Sequence, residues 1–304
     1  MSIQVKELTK YYGTQKALDR ISFQVKPGEI VGFIGPNGAG KTTAMKILTG
    51  YMMPESGEAW INGRNVFEEI LKIRRDIGYL PEHNPLYTLM YVKEYLEYVS
   101  GLYRLAEKTP ERVREVIRLT GLEKEKTKRI SMLSKGYRQR MGLAQAIIHD
   151  PGVLILDEPT TGLDPNQIAE IRNLISRLGK KKTVLLSTHL MQEVEAICDR
   201  IIVIHNGKIV ADDKVQDISS KLEKNQQTVQ VEFNRPVNES TLETIEGISR
   251  VRKIDDRQFL LESLIEEDIR QHIFDFAVQS GLTVLSMQRK EKSLEEVFQD
   301  LTKE

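Results

Sequence analysis

The segment Gly35–Thr43 constrains this chain more than any other part of its sequence. It fits the template G-x-x-x-x-G-K-[ST], in which two glycines frame a loop that a lysine and a hydroxyl residue close. A buried strand is predicted before the loop, at Ile30 to Ile34, and a helix after it, from Lys41 to Leu48. This order lets backbone N–H groups converge on phosphate oxygens at a helix N-terminus. The segment therefore predicts a nucleotide site.

The loop residues have separate expected roles. Lys41 is expected to reach the β- and γ-phosphates, and the Thr42 hydroxyl to hold Mg²⁺. The other predicted nucleotide contacts in the loop are Gly35, Pro36, Asn37, Gly38, Ala39, Gly40 and Thr43. A plain glycine-rich turn is the alternative, and the strand and helix predicted on either side disfavour it.

A second apolar run ends in two carboxylates. Leu154 to Leu156 is predicted to be a buried strand, and Asp157 and Glu158 follow it directly. In a phosphate-loop protein, Asp157 can hold Mg²⁺ through water, and Glu158 can orient the attacking water as general base. The alternative is an acidic strand end in a solvated loop, which the phosphate loop in the same chain disfavours.

The bulk composition excludes several classes of protein. The 304 residues favour about two domains, and 40% apolar with 29% charged residues is typical of a soluble globular chain. Lysine plus arginine equal aspartate plus glutamate at 44 each, so no net charge favours nucleic acid or acidic lipid. The single cysteine, Cys198, rules out an internal disulfide and favours a reducing cytoplasm.

The sequence also predicts no membrane segment of its own. The N-terminal residues lack the apolar core of a signal peptide. No apolar run approaches the roughly 20 residues that span a bilayer. We therefore expect any role at a membrane to come through a partner.

The order of predicted elements indicates two domains. Short apolar runs at 153–156 and 183–186 are typical of strands covered on both faces, and alternating strands and helices favour an α/β fold with a mostly parallel sheet. Helices are predicted between them and the phosphate loop, in a helical subdomain at about 84–150. A polar stretch near 213–227 marks a boundary. Beyond it, the predicted elements of 226–304 follow the β-α-β-β-α-β order of a small α+β ferredoxin-like domain. We interpret it as an accessory domain for packing or dimerisation, and ligand sensing is the less favoured alternative.

Several further motifs follow the loop in a set order. Leu133 to Tyr137 reads L-S-K-G-Y, Thr161 to Asp164 reads T-G-L-D, and His189 follows Thr188 at the end of an apolar run. Tyr12 precedes Gly13 near the N-terminus. In this order the motifs resemble those of the ATP-binding subunit of an ABC transporter, and the match covers about Ile3 to Asp212.

The resemblance implies a fold, a reaction and partners. The fold is an ABC ATPase domain at 1–220, with the mostly parallel sheet, an antiparallel β part and the helical subdomain. The cofactors are ATP and Mg²⁺, and hydrolysis is coupled to transport. Two subunits form a homodimer around two ATP molecules, each ATP between the phosphate loop of one and the signature of the other. A separate integral membrane permease is driven from the cytoplasmic face, and no nucleic acid is involved.

The resemblance also assigns individual residues. His189 matches the switch histidine that senses the γ-phosphate, and Tyr12 the aromatic that stacks on adenine. Ser134 and Gly136 are expected to approach the γ-phosphate across the dimer. Asp164 matches the aspartate that contacts the partner subunit.

Two departures from the usual pattern narrow the assignment. Glu82 stands where the family usually has glutamine, and it could still contact Mg²⁺ or the attacking water. Lys135 and Tyr137 replace a glycine and the glutamine of the commonest signature, L-S-G-G-Q. Both departures resemble the exporter branch serving drugs, polysaccharides and bacterial gliding motility, and the whole chain most resembles gliding-motility-associated subunits.

Two other functions stay open. A soluble ABC ATPase acting on DNA or ribosomes is the first. The roughly ninety residues from Lys41 to Ser134 are too few for the long coiled coil of DNA-repair members, and one phosphate loop does not suit ribosome-associated members, which carry two. The second is an ATP-sensing scaffold without hydrolysis, which intact Glu158 and His189 disfavour.

Overall fold

The computed structural model describes residues 1–222, 227–264, 268–290 and 294–302. Within it the chain divides into two compact units, Met1–Asp213 and Lys214–Glu304. The predicted start of the C-terminal domain, residue 226, lies outside the described residues. None of the helices in the described ranges combines the length and apolar character that crossing a bilayer requires.

The first unit contains two sheets and seven α-helices in the described part of the chain. Its elements, in chain order, are β1 Ile3–Tyr12, β2 Gln15–Val25, β3 Ile30–Ile34, α1 Lys41–Leu48, β4 Ser56–Ile61, β5 Arg64–Asn65, α2 Ile70–Asp76, β6 Ile77–Leu80, α3 Val92–Leu102, α4 Thr109–Leu119, α5 Lys135–Ile147, β7 Val153–Asp157, α6 Pro165–Gly179, β8 Thr183–Thr188, α7 Met191–Ile197, β9 Arg200–His205 and β10 Lys208–Lys214.

The larger sheet positions the site. Its strand order is β10-β9-β3-β8-β7-β6, and the pairs from β9 to β6 are parallel. Every residue of β3, β7 and β8 is buried, which confirms the interpretation of their apolar runs as strands covered on both faces. Because parallel strands end at the same edge of a sheet, the loops after β3, β6, β7 and β8 meet there.

The smaller sheet and the helices complete the first unit. The antiparallel sheet has the order β2-β1-β4-β5, and its turn at Asn62-Gly63 has the positive φ angles, 50° and 77°, that a two-residue hairpin turn requires. Helices α3, α4 and α5 contact one another. This arrangement matches the mostly parallel sheet, the antiparallel β part and the helical subdomain that the sequence predicts.

The second unit has its own sheet and core. Its elements are α8 Val215–Leu222, β11 Gln227–Phe233, α9 Glu239–Leu242, β12 Ile248–Lys253, β13 Gln258–Ser263, α10 Arg270–Gln279, β14 Val284–Lys290 and α11 Leu294–Thr302. The strands form an antiparallel sheet in the order β12-β13-β11-β14. Alternate residues of β11, Val229, Val231 and Phe233, are fully buried, as the period-2 pattern predicts. The β-α-β-β-α-β order of β11 to β14 confirms the predicted ferredoxin-like fold.

Candidate nucleotide site

The loop Gly35–Thr43 joins β3 to α1, and its conformation and close packing require glycine at several positions. Gly38 and Gly40 have φ angles of 82° and 112°, which strongly favour glycine. A Cβ at Gly40 would lie 2.5 Å from the carbonyl oxygen of Ala17, and one at Gly35 would lie 2.2 Å from that of Ile204. The loop therefore packs directly on neighbouring backbone, with the N-terminus of α1 behind it.

Lys41 lies inside this loop and is only 6% exposed. Its Nζ donates to the carbonyl oxygens of Gly35, at 2.7 Å, and Pro36, at 3.2 Å, and lies 3.9 Å from Oε1 of Glu158. Burial lowers the pKa of Lys41, and the carboxylate of Glu158 opposes that shift. The loop thus holds a cation where phosphate groups are expected.

Asp157 ends β7 with its side chain fully buried. Its Oδ1 accepts hydrogen bonds from the hydroxyls of Ser187, at 2.6 Å, and Thr42, at 3.3 Å. Its Oδ2 is buried without a hydrogen-bond partner among the described residues. Burial raises the pKa of Asp157, and the neighbouring carboxylates of Glu82 and Glu158 add to this effect.

These atoms form a suitable donor set for Mg²⁺. A buried carboxylate oxygen without a partner, beside a threonine hydroxyl, supplies the hard oxygen ligands that this ion prefers. No group of three or more histidine, cysteine or acidic residues with metal-site geometry occurs within the described ranges. An ion here would therefore take its remaining ligands from water and from substrate phosphates, as Mg²⁺ usually does.

Glu158 follows Asp157 in a left-handed conformation with φ 49°, which is costly for a residue with a side chain. Its N–H donates to Ser187 Oγ at 2.9 Å. Its Oε2 accepts from the Thr161 hydroxyl at 3.1 Å and lies 2.8 Å from Nδ1 of His189. The main chain and the carboxylate of Glu158 are both fixed, and such orientation is what a general base needs.

One cavity of about 510 Å³ brings most of the predicted residues together. It is lined by loop residues 37–43 and by Tyr12, Glu82, Glu158 and His189. His189, at the end of β8, has a side chain that is 51% exposed, so its ring lies at the cavity wall rather than in the core. The ring of Tyr12 is half exposed, and its hydroxyl donates to Sδ of Met52 at 3.2 Å. A planar base could therefore reach the face of Tyr12.

Glu82 follows β6 and is exposed. It also lines a second cavity of about 670 Å³, which reaches Thr42 and Asp157. This cavity has tyrosines along one side. The rings of Tyr87 and Tyr95 meet edge to face at 5.8 Å, and Tyr98 lies 5.7 Å from Tyr87.

Ser134, Gly136 and Asp164 lie apart from the phosphate loop within one chain. Ser134 begins α5, where its Oγ accepts from the N–H of Tyr137 at 3.4 Å. A Cβ at Gly136 would lie 2.7 Å from Gln167 of α6, whose N–H donates to Asp164 at 3.0 Å. Ser134 and Gly136 line a separate cavity of about 450 Å³.

The sequence alone did not reveal two residues of the site. Ser187 lies beside Asp157 in the register of β7 and β8 and bridges that carboxylate to the main chain of Glu158. Thr161 fixes the carboxylate of Glu158 from the other side. The available signal for Ser187 was a hydroxyl at the end of an otherwise apolar strand, but its partner depends on strand register.

The family model and the relatives that match this chain are all described as ABC transporter or ATP-binding proteins. The family model described as ABC transporter matches residues 18–161. The bacitracin transport ATP-binding protein BcrA of Bacillus licheniformis is 34% identical over 307 residues, which cover 97% of this chain and 95% of that protein. The linearmycin resistance ATP-binding protein LnrL of Bacillus subtilis is 30% identical, with 99% and 98% covered.

Solved structures match a large part of the chain. The ATP-binding subunit of an ABC transporter superposes with a TM-score of 0.67 at 32% identity, covering 73% of this chain and 93% of that one. An ATP-binding cassette solved as a dimer in a post-hydrolysis state, bound to ADP and phosphate, superposes with a TM-score of 0.65 at 29% identity, covering 70% and 98%.

Proposed function

We propose a transport function that proceeds from one premise: the chain belongs to the ABC transporter family of ATP-binding proteins. It is an ATPase of that family. In our proposal, two copies close around two ATP molecules and drive a separate membrane subunit that exports its cargo. The arrangement of Glu158 carries the hydrolytic part of this proposal, because its carboxylate is fixed by Thr161 and His189 beside the buried Asp157. The export part is supported by relatives that are named for transport or resistance.

We assign the hydrolytic roles as follows. Glu158 accepts the proton of the attacking water, since its carboxylate is held in one orientation at the cavity wall. His189 stabilises that orientation through Nδ1 and presents the rest of its ring to the γ-phosphate. Lys41 is already enclosed by the loop and binds the phosphates by charge. Tyr12 stacks on adenine.

Thr42 and Asp157 would hold Mg²⁺, and Glu82 adds a further carboxylate nearby. When bound, Mg²⁺ neutralises charge on the β- and γ-phosphates. Asp157 is the centre of this arrangement because its Oδ2 has no other partner in the described chain. Ser187 keeps Asp157 and Glu158 in register.

The second half of each site comes, in this proposal, from the partner copy. Ser134 is exposed at the start of α5, where a hydroxyl and helix N–H groups can face a phosphate. Gly136 lies two residues after Ser134, in the first turn of α5, and Asp164 contacts the partner subunit. The related cassette that was solved as a dimer with ADP and phosphate supports this reading.

We propose that the cargo is a drug-like compound. The relatives that match over almost the whole chain include a bacitracin transport protein and a linearmycin resistance protein. A probable multidrug ABC transporter ATP-binding protein of Escherichia coli is 37% identical over 221 residues. A role in polysaccharide export or gliding motility remains a hypothesis that the sequence resemblance alone supports.

The membrane partner would dock at the cavity of about 670 Å³. Tyr87 lines this cavity and is 55% exposed, and Leu89, two residues further along the chain, is 79% exposed. Exposed aromatic anchors beside a cleft are typical of helix-in-groove contacts. The occupant would be a short cytoplasmic helix of a multi-span permease. The chain would then lie on the cytoplasmic face of the cell membrane.

The second unit is proposed as an accessory domain at about 226–304. It has a hydrophobic core of its own. We favour a role in packing or dimerisation over ligand sensing. A chain that ends near residue 224 is therefore expected to retain ATP binding.

The transport proposal is tested by fractionation at native expression. The parent chain is expected in the membrane fraction, together with a multi-span protein that co-purifies in gentle detergent. Tyr87→Asp should move the chain to the soluble fraction with the parental ATP affinity, since Tyr87 lies outside the nucleotide cavity. A parent chain that stays soluble without a membrane partner would favour the DNA or ribosome ATPase instead.

A further inference from the structure

The two-residue turn between β8 and α7 carries the switch histidine and has an unusual support. Thr188 ends β8, His189 and Leu190 form the turn, and Met191 begins α7. Leu190 is the N-cap residue of α7 and offers no side-chain hydrogen bond to the helix. The support of this helix start must therefore come from elsewhere.

The support is a hydrogen-bonded relay that ends at Glu193. The N–H of Leu190 donates to Oγ1 of Thr188 at 3.1 Å, and that hydroxyl donates to Oε2 of Glu193 at 2.8 Å. Glu193 is the third residue of α7, the position from which a glutamate accepts directly from the N-cap N–H in a capping box. Here the hydroxyl of Thr188 is inserted between the two groups. The relay ties together both residues that flank His189.

Burial of the Glu193 side chain is energetically unfavourable. It is 3% exposed, and its Oε1 is fully buried without a hydrogen-bond partner among the described residues. A buried carboxyl group with one unsatisfied oxygen costs free energy that an apolar side chain would not. Packing alone therefore does not account for a glutamate here.

We infer that Glu193 is a positioning residue for ATP hydrolysis, which acts through Thr188 to hold His189 against Glu158. The inference rests on the proposed roles of His189 and Glu158. In this inference, the relay maintains the contact between His189 Nδ1 and Glu158 Oε2, which are 2.8 Å apart. The side chain of His189 is half exposed, so little packing holds it in place. The relay supplies the missing constraint through the main chain.

Three single variants of the full chain and one double variant test the relay. Glu193→Ala and Thr188→Val each interrupt it, and we expect kcat for ATP to fall about ten- to hundredfold with KM unchanged, because misplacing a catalytic group by about 1 Å has effects of this size. The double variant should be no worse than either single one, since both remove the same link. Glu193→Gln keeps an acceptor oxygen for Thr188 and should restore kcat to within about threefold of the parent.

Val194→Ala is the matched control for lost stability. Val194 is the next residue of α7 and is fully buried, so this variant should lower the melting temperature by a few degrees and leave kcat within about twofold. A specific readout comes from NMR of the protein labelled with ¹⁵N-histidine. The chain has five histidines, and the signal of His189, assigned with His189→Gln, should move in Glu193→Ala and not in Val194→Ala.

The outcomes separate this inference from the proposed function. If Glu193→Ala keeps the parental kcat while His189→Ala is impaired, the positioning role is wrong and the role of His189 stands. If His189→Ala also keeps the parental kcat, the proposed role of His189 fails. If Glu193→Gln is as impaired as Glu193→Ala, the negative charge is what matters, and positioning through Thr188 is overturned.

Discussion

The proposed composite site joins two regions that are built very differently within one chain. Around the phosphate loop, Asp157, Glu158 and Lys41 are all less than a tenth exposed. The two carboxylates accept hydrogen bonds from Ser187 and Thr161, and Lys41 donates to a carbonyl oxygen of its own loop. The start of α5 is plainer. Ser134 is exposed there, and its Oγ makes one long contact of 3.4 Å with the N–H of its own helix.

The two regions differ in that only the phosphate-loop region has features that disfavour folding. The phosphate-loop region buries an unpaired carboxylate oxygen on Asp157 and holds Glu158 in a left-handed conformation, and both features disfavour folding. A ligand that pairs with Asp157 explains why they persist. The start of α5 has neither feature and is an ordinary capped helix. This contrast fits our proposal that the first region carries out hydrolysis and that the second is completed by a second copy.

The largest expected effect tests whether the first region does the chemistry. Glu158→Gln should lower ATP turnover about 10²- to 10⁴-fold, because the shape remains and the base is lost. ATP affinity, measured by equilibrium binding, should stay near the parental value. Lys41→Ala is the contrasting variant and should weaken binding itself, since a cation that faces two phosphates is removed. Turnover by Glu158→Gln at the parental rate would show that another group is the base.

The next effect concerns Ser187, which joins the two carboxylates of the first region. Ser187→Ala removes the donor to Asp157 and the acceptor for the N–H of Glu158. We expect turnover to fall about tenfold, as is usual when a group that orients a metal ligand is lost. Half-saturating Mg²⁺ should rise as well. Thr183→Ala, at the opposite end of β8, is the control. Equal losses in both variants would mean that strand stability, and not the site, is affected.

Lys41 and Ser187 show how far the sequence predicts the site. The G-x-x-x-x-G-K-[ST] spacing fixes a local structure, so the loop, the helix α1 and the position of Lys41 follow from it. The contact from Ser187 to Asp157 depends on the register Asp157↔Ser187 between β7 and β8. Strand register arises from packing of the whole sheet, and no local pattern reports it.

The second unit gives the same lesson at the level of fold. The order of its elements could be predicted from period-2 runs such as Val229, Val231 and Phe233. The neighbours of each strand could not be predicted, because β11 pairs with β13 and β14, which are distant from it in the sequence. Glu193 was missed for a related reason. Its role depends on a hydroxyl that lies beside it only once the turn has formed.

A mixing experiment tests the separation of the two regions directly. Lys41→Ala damages only the first and Ser134→Arg only the second, so each homodimer should be inactive. Mixed in equal amounts, they should recover about a quarter of the parental turnover, because half of the dimers are mixed and each has one intact site of two. Recovery should rise with protein concentration if dimers are weak. Failure to recover activity when mixed dimers form would mean that both regions of one site come from the same subunit.

The smallest expected effects are on stability, and the two regions should respond with opposite signs. Burial raises the pKa of Asp157 above its ordinary value of 3.8. Ionised Asp157 therefore costs the folded state free energy, and this cost develops as the pH rises from 3.8 through the folded pKa. Asp157→Asn removes the charge and should raise the free energy of unfolding at pH 7, without ligand, by about 1–2 kcal/mol.

Ser134→Ala should instead lower the free energy of unfolding by up to about 1 kcal/mol, because the cap of α5 is lost and no buried charge is relieved. Urea unfolding at pH 7 and pH 5 measures both changes. The gain from Asp157→Asn should shrink at the lower pH, where more of the buried carboxyl group is already protonated, whereas the loss from Ser134→Ala should stay constant. If Asp157→Asn destabilises the protein at pH 7, the carboxylate supports the fold, and the energetic contrast between the two regions does not hold.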